Sequence, residues 1–199
     1  DYQIWYSATK KVEINETADY GATIISHEWD KSTSNGIITF DCPVTSIGES
    51  AFYNQYTLTS ISLPESIRSI GDKAFGKCTK LKKINIPASV TEMGKYVFEE
   101  CNSLPVTDNI IYADTYLVKI SNKSLYSVTG NMIKEGTRWI GEDAFYNYDN
   151  MSSIVIPEGV LKIGESAFSH CDNLSRVTIP GSLTSIGESA FYECRKITT

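Results

Sequence analysis

The sequence repeats itself every 23 residues. Six glycines that each follow an apolar residue, Gly48, Gly71, Gly94, Gly141, Gly164 and Gly187, fall into two triplets with that step. The interval from Gly94 to Gly141 is 47 residues, two periods plus one. Four residues after each glycine stands a phenylalanine: Phe52, Phe75, Phe98, Phe145, Phe168 and Phe191. Alanine precedes five of them, and Val97 precedes Phe98. Pro64, Pro87, Pro157 and Pro180 form a third column, and Cys78, Cys101, Cys171 and Cys194 a fourth. The unit reads Leu-x-x-Ile-x-Leu-Pro-x-x-Val-x-x-Ile-Gly-x-x-Ala-Phe-x-x-Cys-x-x, and its best copy is 58–80. Counted by frame, seven coils run from Asn35 to Lys196.

A unit this short cannot bury its own apolar face, so it must stack on its neighbours. The Ile61-Ser62-Leu63 alternation predicts a short strand with two side chains inward. Strands of successive coils are then expected to pair in parallel, about 4.8 Å apart. The Val-x-x-Ile segment returns along another face. The glycine after it permits either a tight bend or a close approach of one coil to the next. Ala-Phe points inward and builds an aromatic ladder. Loss of one ring from such a ladder is expected to cost about 3–5 kcal/mol.

These columns resemble the BspA-type leucine-rich repeat family, whose hallmark is similar to Leu-x-x-Ile-x-Leu-Pro followed by Ile-Gly-x-x-Ala-Phe-x-x-Cys. The resemblance covers about residues 35–103 and 128–196. An Ile-Trp-Tyr strand at 4–6, with 37–40 leading into the first repeat, resembles the family's N-terminal cap. The implied fold is an α/β-type, right-handed leucine-rich repeat solenoid of 23-residue coils, rich in short parallel strands. Residues 1–34 would form the β cap and 35–199 the repeat region. Members of the family are mostly secreted or cell-surface proteins of bacteria and some parasitic protists, usually adhesive. The resemblance therefore implies an extracellular or cell-surface, non-catalytic module that binds a protein or glycan.

The repeat has departures. Gln55 and Tyr148 replace the cysteine in two copies, and Met93 and Val97 loosen the third. The stretch 104–127 loses the Gly-x-x-Ala-Phe core. Its alternating segments Ile110-Ile111-Tyr112 and Tyr116-Leu117-Val118 predict a β-hairpin. Such a break is either a tolerated loop or the functional feature. In the flank, Thr23–Glu28 is a second strand candidate, and Asn35-Gly36 fits a tight turn. The sequence begins without a signal segment, as expected after processing or at a fragment boundary. It stops three residues into a further coil, so either the chain continues or a partner covers that end, with end-to-end or edge self-association as one expectation.

Charge and composition narrow the function. The net charge of −6 argues against non-specific nucleic-acid binding and against docking on anionic lipid. No apolar run approaches the roughly 20 residues of a membrane span. Histidine occurs only at 27 and 170, and no Cys-x-x-Cys pair exists, so no metal or other cofactor is expected. Five cysteines cannot all pair within the chain. The laddered ones are better read as buried thiols, and Cys42 as a free thiol near the cap. Residues 71–78 mimic a phosphate loop, but Gly71 and Cys78 are ordinary repeat columns. Gly-Glu-Ser-Ala-Phe at 48–52 mimics a nucleophile elbow, yet it recurs at 164–168 and 187–191. Glu49, Asp72, Glu142, Glu165 and Glu188 share one position and read as an exposed column rather than a facing acid pair. A carbohydrate-active enzyme on a β-helix and a purely structural spacer are the alternatives.

Aromatic residues supply the candidate binding groups. Tyr53, Tyr146 and Tyr192 share a column after the ladder phenylalanine. Tyr112, Tyr116 and Tyr126 crowd the irregular stretch, and Trp139 follows it. Tyrosine and tryptophan carry rigid amphipathic area suited to recognition, or else seal the edge of a solenoid. The expected contact set is Tyr112, Tyr116, Tyr126 and Trp139. The two cations of the outward strand positions, Lys83 and Arg176, complete it.

Overall fold

A computed structural model describes residues 2–123 and 128–198. The described residues fold as a β-solenoid with a repeat of about 23 residues, and they contain no helix. The chain divides into two compact units, 1–105 and 106–199.

The first unit holds β1 (Gln3–Ala8), β2 (Ile24–Asp30), β3 (Asn35–Phe40), β4 (Ser46–Ile47), β5 (Leu58–Ser62), β6 (Ser69–Ile70), β7 (Lys83–Asn85) and β8 (Glu92–Met93). The second holds β9 (Val106–Thr107), β10 (Ile110–Ala113), β11 (Tyr116–Ile120), β12 (Val128–Gly130), β13 (Trp139–Ile140), β14 (Met151–Val155), β15 (Lys162–Ile163), β16 (Arg176–Thr178) and β17 (Ser185–Ile186).

Successive copies pair in parallel at the 23-residue step. Ser60, Ile61 and Ser62 of β5 face Lys83, Ile84 and Asn85 of β7. Ser153, Ile154 and Val155 of β14 face Arg176, Val177 and Thr178 of β16. The Val-x-x-Ile segments form a second parallel ladder in each unit, β4-β6-β8 and β13-β15-β17. Inside, the phenylalanines stack almost parallel. Phe52, Phe75 and Phe98 lie 5.3 and 5.5 Å apart in the first unit. Phe145, Phe168 and Phe191 lie 5.0 and 5.1 Å apart in the second.

The expected helical component is absent, and the backbone shows why. Every fourth residue of the Gly-x-x-Ala-Phe-x-x-Cys stretch is left-handed: Ser50 (φ 54°) and Asn54 (φ 60°), then Lys73 and Lys77, with the same pattern in the later coils. Such residues end a helix after one turn. The N–H groups of Ser50, Phe52 and Asn54 instead donate to Asp72, Ala74 and Gly76 of the next coil at 2.9, 2.7 and 2.7 Å. Those of Ala51, Tyr53 and Gln55 close local turns. The stretch is a stack of turns bonded coil to coil.

The glycine column serves close approach, the second of its two expected uses. A Cβ on Gly71 would lie 2.6 Å from the backbone nitrogen of Glu49, and one on Gly94 2.4 Å from that of Asp72. The N–H of Gly71 donates to Ile47 O at 2.7 Å, which draws the coils together at this point. The cysteine column adds a side-chain bond. The thiols of Cys78, Cys101, Cys171 and Cys194 donate to the carbonyls of Phe52, Phe75, Phe145 and Phe168 at 3.0–3.1 Å.

The N-terminal strands depart from the expected pairing. β3, the strand of the first copy, does not pair with β5. Strand β1 lies between them, antiparallel to both. β2 continues the sheet on the far side of β3, giving the order β2-β3-β1-β5-β7. Gly36 is not in a turn. It lies within β3, where a Cβ would collide with the Tyr6 ring at 2.0 Å. Behind the sheet, Tyr20 O accepts from Thr45 N and Ser46 N, and Asn15 N donates to Ala51 O. In the second unit, 110–120 forms an antiparallel hairpin, β10 with β11. Its second strand rejoins the repeat, with Leu117 beside Ile140.

Alanine at Gly71 is expected to lose about 1–3 kcal/mol through backbone overpacking. Alanine at Gly181, where an added Cβ meets nothing within 4 Å, is expected to stay within about 0.5 kcal/mol of the parent. Thermal or denaturant unfolding of the two variants decides this. A thiol titration with a disulfide reagent is expected to reach only the exposed Cys42 in the native protein, and all five cysteines after denaturation.

Candidate functional site

Three of the four aromatic residues expected to meet a partner are buried. Tyr112, Tyr116 and Trp139 are 3%, 3% and 1% exposed. The Tyr112 hydroxyl accepts from the Lys134 N–H at 3.1 Å, with the Lys134 ammonium 4.5 Å from its ring. Tyr116 donates to Glu142 Oε2 at 3.0 Å, and burial raises its phenol well above the ordinary range. The Arg138 guanidinium lies 4.4 Å from the Trp139 ring. Buried to this degree, the three rings offer a partner almost no area, contrary to the expectation. Glu142 also leaves the expected exposed column and is 9% exposed. Glu49, Asp72 and Glu188 are exposed, and Glu165 partly so. Tyr126 lies outside the described residues. Lys83 and Arg176 are exposed on β7 and β16. Tyr146 and Tyr192 are exposed and flank His170 edge-on, with centroids at 5.5 and 5.6 Å.

Exposed aromatic, hydroxyl, amide and charged groups come together on the outward side of β2-β3-β1-β5-β7. Along β1, Ile4, Tyr6 and Ala8 point into the core. Period-two alternation therefore turns Gln3, Trp5 and Ser7 outward. Trp5 is 50% exposed at the middle strand. Register places Ile37 and Ser62 beside it, then Glu28 and Asn85 beyond. The next row runs Asp30, Asn35, Ser7, Ser60, Lys83. Three hollows meet at Trp5. One of about 460 Å³ reaches Asn35, Ser60 and Lys83. A second of about 790 Å³ reaches Tyr2, Pro64 and Glu65, and a third of about 330 Å³ reaches Glu28, Trp29 and Asp30.

Sequence reasoning placed Lys83 here and missed Trp5. The missed signal was phase: in Ile-Trp-Tyr, inward neighbours force the middle residue out. The insertion of β1 between two repeat strands, which centres Trp5 in the face, had no signal in the repeat.

Two polar devices fix this face. Ser7 Oγ donates to Asn35 Oδ1 at 2.7 Å. The Asn85 amide bridges both backbone groups of Leu63 at 2.9 Å, binding two coils where β5 ends. On the reverse side, the Tyr6 hydroxyl lies 2.8 Å from His27 Nε2. Burial, reinforced by the Lys11 charge, lowers the His27 imidazole to about 4, and burial raises Tyr6 to about 12.

With the geometry established, comparison identifies the fold family. The sequence model of the BspA type leucine rich repeat region matches 22–134 and 138–199 in six copies. The chain belongs to the BspA-type leucine-rich repeat family. No curated protein matches it significantly. Among solved structures of leucine-rich repeat proteins, one from T. pallidum is 29% identical over 79% of this chain and 73% of that one, with a TM-score of 0.44. A leucine rich cell surface protein from Faecalibacterium prausnitzii is 29% identical over 78% of this chain and 44% of its own, TM-score 0.46. The pneumococcal vaccine antigen PcpA is 20% identical over 78% and 53%, TM-score 0.41.

The His27 environment of this BspA-type chain sets a pH dependence. The unfolded imidazole titrates near 6.5 and the folded one near 4. The unfolded chain therefore binds the extra proton between those values, and stability falls as pH drops from about 6.5 to about 4. In a series of unfolding curves across that window, His27→Gln is expected to flatten the slope relative to the parent.

Proposed function

We propose that the chain is a non-catalytic binding module of a secreted or cell-surface protein, and that it engages a protein or glycan through the face centred on Trp5. Family membership supports the extracellular, adhesive part of this reading. One observation carries the site: a half-exposed tryptophan stands where three hollows meet, in the middle of a five-stranded sheet, with the exposed Lys83 two strands away. Tryptophan at the centre of a contact commonly contributes 2 kcal/mol or more of binding energy. The reading includes residues 1–34 as the N-terminal cap, because 15–20 supply the backbone groups that a preceding coil would otherwise give. It also includes a right-handed wind, the hand taken by nearly all crossovers between parallel strands.

The non-catalytic part rests on where the carboxylates stand. Glu49, Asp72 and Glu188 occupy one repeat position on the solvent side, an arrangement set by the period rather than by a reacting atom. Glu142, the buried member, is held by Tyr116.

Trp5→Ala is expected to weaken capture of the chain on protein and glycan arrays by at least tenfold. Alanine at both Tyr146 and Tyr192 is expected to leave capture unchanged. The opposite ranking would move the site to the second unit and overturn this reading.

A further inference from the structure

We propose that the Trp5 face takes an uncharged polysaccharide, with one pyranose ring stacked on the indole. This inference rests on the reading of that face as the binding site and names the chemical class of its ligand.

Three features of the face select that class. The first is its polarity. Trp5 has Ile37 on one side and a run of hydroxyls and amides on the other, Ser7, Ser60, Ser62 and Asn85, and Ser60 and Ser62 have no side-chain hydrogen bond to any described residue. A protein interface has an apolar core with a polar rim. Here the exposed rings of Trp5 and Tyr2 stand beside the small hydrogen-bonding groups of Ser7, Ser60, Ser62 and Asn35, which matches a ligand of ring C–H faces and hydroxyls. The electron-rich face of an indole attracts partly positive C–H groups.

The second feature is charge. Glu28, Asp30 and Glu65 are exposed around the hollows, and Lys83 is the one cation lining them. Sulfated, carboxylated or phosphorylated chains would meet carboxylates on both sides of the ring. An uncharged chain meets no such repulsion and can accept from Lys83.

The third feature is shape. Tyr2, 54% exposed, lines the hollow next to the one that holds Lys83, and Trp5 lines both. Two aromatic groups in adjoining hollows suit successive rings of one chain. The polar side chains beside them recur at the strand spacing, about 4.8 Å, which is close to the length of a sugar ring. The amide of Asn85, held by Leu63, keeps the shared wall of these hollows in place.

The test is titration calorimetry of the purified chain with cellohexaose, laminarihexaose, xylohexaose and mannohexaose. A heparin hexasaccharide serves as the polyanionic probe, and a neutral-glycan array widens the set. At least one neutral glycan is expected to bind and to change the tryptophan fluorescence. Trp5→Ala should weaken it tenfold or more, and Trp5→Tyr should keep most of the affinity. Thermal unfolding of each variant shows that it is folded. Absence of neutral-glycan binding at millimolar concentration overturns the inference, as does preference for heparin. If a protein ligand then binds in a Trp5-dependent way, the site reading stands and only the glycan class falls. If a neutral glycan binds equally well to Trp5→Ala, both fall together.

Discussion

On the turn face of each coil, alternate backbone N–H groups point away from their own turn and must find a carbonyl elsewhere. They find it on the next coil, at 2.7–3.0 Å. An amide left unpaired away from water costs about 1–3 kcal/mol, and the cost recurs at every alternate residue, so this bonding governs the coil spacing. The other columns follow from it. Glycine stands where the backbones meet too closely for a Cβ. Phenylalanine is flat enough to stack at the resulting 5.0–5.5 Å separation. Cysteine, small and able to donate, ties each turn to the carbonyl beneath.

The period was legible because every coil solves the same packing problem with the same residues. Strand positions, inward phenylalanines and the hairpin at 110–120 all follow from spacing and alternation. The turn stack was not legible as such. Left-handed Ser50, Lys73 and Ser166 are residues without a strong local signature, and only their bonding to a neighbouring coil makes the conformation worthwhile. The position of β1 was hidden too, since antiparallel insertion into a parallel ladder breaks the rule that the repeat teaches.

The candidate site divides the same way. Tyr112 and Tyr116 were conspicuous because they crowd an irregular stretch, with Trp139 after it, yet all three are buried, and Tyr112 joins the core cluster that holds Phe145. Trp5 drew less notice because a single aromatic in a flank strand carries no pattern. Its meaning comes from its neighbours, which belong to strands 30 to 80 residues away in the chain.

The position of β1 also affects the order of assembly. It precedes both of its bonding partners in the chain, β3 at 35–40 and β5 at 58–62. Until residue 62 exists, β1 can pair only with β3, and its other edge is bare, of the kind that recruits other chains. A nascent chain halted before that point would carry the three-stranded ribbon β2-β3-β1 with one edge unpaired. The arrival of β5 closes that edge and carries the sheet on into the parallel repeat through β7.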